Sequence, residues 1–161
     1  MDPGQAACAE RYMKMKTDDQ IFVNYILLFL EKTPTIQHEW RNNDTEVIFK
    51  KNNDNGFDVV IGHNKNILYL YTDRGFHNHF EAYRDFSNIL EQVMGLARNL
   101  LSNNMRIREI SSNNNARKWI LEHYRNNAWE QESINGLILW NYFGKKTEKI
   151  YSNDIYPAGK S

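Results

Sequence analysis

Residues 46–81 read EVIFKKNNDNGFDVVIGHNKNILYLYTDRGFHNHFE, which is a run of four short apolar segments separated by turn-forming residues. The segments cover residues 46–51, 57–62, 67–72 and 76–81, and they are rich in the β-branched and aromatic side chains typical of strands. Asn, Asp and Gly dominate the connections, and these residues favour tight turns. Because short connections join antiparallel strands, this stretch predicts a four-stranded antiparallel meander.

Helices are predicted on both sides of the meander. Residues 17–20 (TDDQ) have the form of a capping box, and the apolar segment after them predicts a helix that ends near Lys32. Residues 85–101 carry apolar side chains at helical spacing and give the clearest helix prediction. Residues 115–126 predict a third helix, which Asn115 caps. Its apolar stripe consists of Ala116, Trp119, Ile120 and Tyr124.

The remaining segments predict further strands. Residues 105–110 form one strand, and residues 138–143 and 148–151 form a C-terminal hairpin. Meanders interrupted by helices indicate the α+β class, a mainly antiparallel sheet with about three helices packed on it. We expect one domain over residues 15–156, a flexible leader at 1–14 and a loose tail at 157–161.

Composition limits the partners and the compartment. Lys and Arg together number 20, as do Asp and Glu, so the formal charge is zero and a nucleic-acid partner is disfavoured. Cys8 is the only cysteine, which rules out an intrachain disulfide and fits a reducing cytosol. The longest apolar run, residues 25–30, is far shorter than the roughly twenty residues that cross a bilayer. We therefore predict a cytoplasmic location and no membrane partner.

The most distinctive polar feature is the end of the meander. On a strand, His77, His79 and Glu81 share one face, because alternate side chains project to the same side. The two histidines could bind a divalent metal with His63, His38 or Glu81 as a third ligand. The face could instead serve acid–base chemistry or contact a partner. Ordinary solvation of a polar strand face is a further possibility.

A second polar feature is basic. Arg106 and Arg108 share a predicted strand face, and the lysines at 145, 146 and 149 follow on the C-terminal hairpin. These side chains could form a nucleic-acid surface. A cross-strand ladder of salt bridges with neighbouring acids is the interpretation we favour, because the total charge is neutral.

The chain contains no recognisable catalytic motif. It has neither a Gly-x-Ser-x-Gly nucleophile elbow nor a Gly-x-Gly-x-x-Gly dinucleotide loop. Cys8 lies in the predicted leader, where a thiolate would lack supporting groups. We therefore predict no catalytic residue, no metal ligand and no cofactor.

Loop tryptophans complete the candidate surface. Trp40 and Trp129 fall in polar segments predicted to be connections, and tryptophan is frequent at binding hot spots. Together these features favour a small cytosolic protein-binding domain, and we expect an immunity- or antitoxin-type inhibitor that occludes a bacterial toxin. The alternative is a metal-dependent hydrolase that uses the face of residues 77–81. The predicted partner-binding residues are His77, His79, Glu81, Asp73, Trp40 and Trp129.

Overall fold

The computed structural model describes residues 17–136 and 144–156. This part of the chain contains two helices and nine strands, which we number in chain order. They are α1 (Thr17–Lys32), β1 (His38–Arg41), β2 (Glu46–Phe49), β3 (Val59–Asn64), β4 (Ile67–Thr72), β5 (His77–Glu81), α2 (Phe86–Leu101), β6 (Met105–Ser112), β7 (Asn115–Arg125), β8 (Ala128–Asn135) and β9 (Lys146–Ser152).

The predicted meander is confirmed as β2–β5, and a fifth strand extends it. The first sheet has the order β1-β2-β3-β4-β5, with every neighbouring pair antiparallel. Strand β1 escaped prediction because it is four residues long and mostly polar (HEWR), so it carries little apolar alternation.

The α+β class is confirmed, but the third predicted helix is wrong. Residues 115–125 form β7, a central strand of a second antiparallel sheet with the order β8-β7-β6-β9. Asparagine pairs at 113–114 and 126–127 have positive φ at both positions, as in type I′ hairpin turns, and they fix β7 between two hairpins. Six consecutive positions of this strand, residues 118–123, are buried or half-buried, so both of its faces are covered and the period-two pattern is blurred.

The predicted C-terminal hairpin is only partly described. Its second segment is the strand β9, which lies at one edge of the second sheet and pairs with β6. Its first segment, residues 138–143, lies outside the described residues, as do the predicted leader at 1–14 and the tail at 157–161.

One hydrophobic core draws residues from both sheets and both helices. Helix α2 lies at its centre and contacts β3, β4, β5 and β6 as well as α1. Leu90, Val93 and Met94 of α2 are fully buried there, because the apolar residues of this helix recur at a spacing that places them on one side. The first sheet meets the helices with alternate residues such as Ile61 and Leu70, which pair across β3 and β4.

Asn153 joins the end of the second sheet to the rest of the core. Its side chain is fully buried; Oδ1 accepts from the Phe57 backbone N–H at 3.1 Å, and Nδ2 donates to the carbonyls of Phe57 and Leu100 at 3.0 Å each. Both polar atoms of this side chain therefore bond to segments that are far from Asn153 in sequence. These bonds tie the residue after β9 to the β2–β3 connection and to the end of α2.

Candidate partner-binding surface

The surface opposite the helices, which we call the outer face, is formed by alternate residues of the first sheet. The registers place Glu46, Gly62, Tyr69 and His79 in one row across β2 to β5. The next row contains Ile48, Val60, Tyr71 and His77. Residues of the intervening positions form the core, so the two rows project away from it.

Two histidines and two tyrosines form the exposed end of the outer face, and we call these four residues the Tyr–His patch. His77 and His79 are exposed on β5, with ring centroids 6.2 Å apart. Tyr71 and Tyr69 lie opposite them on β4, half-buried and stacked with centroids 6.1 Å apart. Glu81 is exposed on the same face. The two tyrosines were not predicted as site residues, although their alternation in the segment ILYLYT places them on one face of the strand that pairs with the histidines.

Glu46 and Gly62 hold Tyr69 in place. The tyrosine hydroxyl donates to Glu46 Oε2 at 3.0 Å, and its ring lies over Gly62, where a Cβ atom would overlap it. Burial and the Glu46 carboxylate raise the pKa of Tyr69 well above its ordinary value, and burial raises the pKa of Tyr71 in the same direction. Both side chains are therefore neutral hydroxyls at physiological pH on a rigid support.

Charged residues border the patch on the β1 and β2 side. Glu39 accepts from Arg41 at 2.8 Å and pairs with Lys50 at 3.1 Å, while Lys50 also reaches Asp58 at 3.6 Å. The hydrogen bonds from Arg41 and Lys50 lower the pKa of Glu39 to about 2, so this rim stays charged across the physiological range. An aromatic centre with a charged rim is a common arrangement in protein interfaces.

Strand β5 is also an edge strand, because no described residue pairs with its outer side. The backbone groups of Phe76 and Ala82, at the two ends of β5, are directed to the β4 side. Phe76 accepts from the Thr72 N–H, and the Ala82 N–H donates to the Asn66 carbonyl. In an antiparallel ladder such residues alternate with residues whose backbone faces away, here His77, His79 and Glu81. The His79 N–H is bonded to the Asn78 side chain at 2.9 Å. The exposed side chains of His77, His79 and Glu81 and the outward backbone groups of the same residues thus lie along a single edge.

The other predicted partner-binding residues lie elsewhere. Asp73 follows β4 and accepts from the Asp58 backbone N–H at 3.0 Å, so its carboxylate fixes a turn. Trp40 is in strand β1, not in a connection, and its ring packs edge-on against Phe22 on the core side at 6.3 Å. The structure therefore brings together residues 77, 79 and 81 but places Trp40 on the opposite face.

Trp129 belongs to the second sheet, where it lies in β8 and not in a connection. The Arg106 guanidinium lies 4.1 Å from the centre of its ring, and the Tyr124 ring is 5.2 Å away. The same arginine and Arg108 both bind Glu122, at 2.6 Å and 3.0 Å. The predicted cross-strand ladder of salt bridges is thus present, and the two arginines suggested for nucleic-acid binding are paired with a buried carboxylate.

Of the third ligands suggested for a metal site, Glu81 is on the same face of β5 as the histidine pair, but His63 and His38 are not beside it. His63 pairs with Leu68 on the core-facing side of the sheet, and the His38 ring is directed to the Ile36 carbonyl at 3.4 Å. Over residues 17–136 and 144–156, no group of three or more His, Cys, Asp or Glu side chains is arranged to hold a metal ion.

Comparison with known proteins gave no relative: no family model, no curated protein and no solved structure matches this chain. Neither helix of the described part is long and apolar enough to cross a membrane.

Proposed function

We propose that this chain is a protein-binding domain, and that its outer face occludes a partner as an immunity- or antitoxin-type inhibitor occludes a bacterial toxin. The observation that carries the proposal is the Tyr–His patch on an open edge strand. Tyrosine supplies large contact area at a low cost in side-chain entropy, and aromatic residues are frequent at interface hot spots.

The shape of the patch favours a macromolecular partner over a small substrate. Small molecules bind in concave sites that remove most of their surface from water. His77, His79 and Glu81 are instead exposed on the last strand of a sheet. A partner that covers such a face would bury the tyrosine rings and pair with the charged rim at its border.

Rigidity supports inhibition by occlusion. Tyr69 is fixed by its bond to Glu46 and by packing on Gly62, so this part of the patch is formed before a partner arrives. A pre-formed surface avoids much of the entropy loss on binding, which favours the tight association that an inhibitor of a toxic enzyme needs. A toxin is the specific form of partner that we propose.

The test begins with the immobilised chain and the cell extract of its source. A captured protein counts only if its affinity depends on the patch. For a true partner, the double variant Tyr71→Ala/His79→Ala should weaken binding by about 2 kcal/mol or more, roughly thirtyfold, in titration calorimetry. Gln131→Ala, an exposed position of β8, is the matched control and should leave the affinity unchanged.

Two results separate the parts of the proposal. If the double variant and the control bind alike, the patch is not the interface and the proposal fails. If the patch is required but the purified partner has no toxic activity that one equivalent of this chain suppresses, the protein-binding role stands and the toxin-inhibitor form is wrong.

A further inference from the structure

A polar cleft of about 690 Å³ opens beside the Tyr–His patch, between the start of α1 and the hairpin that joins β3 to β4. Two adjacent carboxylates, Asp18 and Asp19, come from α1, and the Tyr69 ring lies at the sheet side. In the part of the chain that the structure describes, no Lys or Arg forms an ion pair with either carboxylate. The full lining is Asp18, Asp19, Asn42, Thr45, His63, Asn64, Lys65, Asn66 and Tyr69.

His63 is a buried polar side chain in the wall of this cleft. Only 3% of its side chain is exposed, and within residues 17–136 and 144–156 neither ring nitrogen makes a well-aligned hydrogen bond. Nε2 lies 3.4 Å from Asp19 Oδ1 but is not aligned for a hydrogen bond. The ring sits between Phe22 and Phe86, with centroids at 4.9 Å and 5.3 Å.

This environment keeps His63 neutral. Burial lowers its pKa, and the opposing pull of the Asp19 and Asp18 carboxylates is smaller. A neutral imidazole does not balance the charge of Asp19. Among the described residues that line the cleft, two carboxylates therefore stand against the one ammonium of Lys65, and this part of the lining is negative.

The lining fits an organic cation better than a metal ion. The described residues contain no cluster of three metal-ligating side chains here. The two carboxylates, with the side chains of Asn42, Asn64 and Asn66 in the same lining, offer acceptors for the several donors of a guanidinium or ammonium group. An aromatic ring adds a favourable face for a cation. We infer that this cleft binds a guanidinium or primary ammonium group.

The cleft is continuous with the proposed partner surface. A second cleft of about 400 Å³ contains His79 and Tyr83, and it shares Tyr69 and the hairpin residues 64–66 with the first. A partner seated on the Tyr–His patch could therefore place an arginine or lysine side chain between the carboxylates. The assignment of the cationic group to a partner side chain rests on the proposed function, whereas the cation site itself does not. A free amine is the other possible ligand.

The site is tested by nuclear magnetic resonance titration of the full chain with N-acetyl-arginine methylamide. We expect saturable shifts at the His63 ring and at the backbone amides of residues 64–66. N-acetyl-citrulline methylamide, which has nearly the same shape without the charge, should produce none. Asp19→Asn should weaken the arginine probe about tenfold or more, because a charged hydrogen-bond acceptor is lost. Asp54→Asn, on the distant β2–β3 turn, is the control and should not change the affinity.

The cation site is overturned if the arginine probe gives no saturable shift, if the citrulline probe binds equally well, or if Asp19→Asn and Asp54→Asn behave alike. Unchanged backbone spectra in both variants show that each is folded, so a loss of binding is interpretable. The source is tested separately with the captured partner. Weaker partner binding by Asp19→Asn supports a partner side chain. Normal partner binding by a variant that has lost the probe overturns that source and assigns the cleft to a free amine.

Discussion

Replacement of Asn153 by alanine should strongly destabilise the protein, because one buried amide joins three segments. The change removes the acceptor for the Phe57 N–H and the donor for the carbonyls of Phe57 and Leu100. A buried polar group left without a partner costs about 1–3 kcal/mol. Since carbonyls tolerate the loss better than an N–H, we expect the free energy of unfolding to fall by about 3–5 kcal/mol.

Urea denaturation followed by tryptophan fluorescence and circular dichroism measures this loss. At about 2–4 °C per kcal/mol for a domain of this size, the melting temperature should fall by about 6–20 °C. Asn52→Ala is the matched control, because Asn52 is exposed and donates one bond of 3.3 Å to the Asp154 carbonyl in the same region. A loss below about 1 kcal/mol for Asn153→Ala, equal to that of the control, would refute the assignment of Asn153 as the joint between the sheets.

Three further predictions concern the outer face and His63. Gly62→Ala should lower the free energy of unfolding by about 1–3 kcal/mol, because the added Cβ overlaps the Tyr69 ring. Gly95→Ala, in the open middle of α2, should raise it by about 0.5–1 kcal/mol. Chemical denaturation compares the two variants, and equal effects would contradict the packing of Tyr69 on Gly62. Because burial lowers the pKa of His63 from its ordinary 6.5, the unfolded chain binds the proton more strongly. The contribution of His63 to the free energy of unfolding should therefore be constant above about pH 6.5. It should fall as the pH decreases below that value, until the folded-state pKa is reached. The variant His63→Gln should not show this fall in a pH series of unfolding measurements. Tyr69→Phe should lower the free energy of unfolding by about 0.5–1.5 kcal/mol, because the hydrogen bond to Glu46 is lost. Thermal unfolding measures this loss. No change would show that this hydrogen bond makes no net contribution to stability.

The meander could be predicted from the sequence because local signals agree there. Alternating apolar residues, β-branched side chains and turn residues all indicate the same four strands, and the alternation also placed His77 and His79 on the face away from the core. Strand β7 could not be predicted in the same way. Its residues Trp119 and Ile120 fit a helical stripe and a strand equally well, and the choice is made by the asparagine turns on either side and by pairing with β6.

The tryptophans show a second limit of sequence analysis. A polar neighbourhood suggested that Trp40 and Trp129 lie in loops, but both belong to edge strands. Their partners, Phe22 for Trp40 and Arg106 for Trp129, are distant in sequence, so no local pattern reveals them. The cleft around His63 was missed for the same reason, since α1 and the β3–β4 hairpin meet only in the folded chain.

The most direct test of the proposed function is a hydrogen-exchange footprint of the complex with the captured partner. If the outer face is the interface, amide exchange should slow along β5, where the backbone of His77 and Glu81 faces the open edge, and along the adjacent β4. The amides of β8, at the far edge of the second sheet, should exchange as they do in the free chain. Protection confined to the second sheet, with β4 and β5 unchanged, would contradict the assignment of the Tyr–His patch as the binding surface.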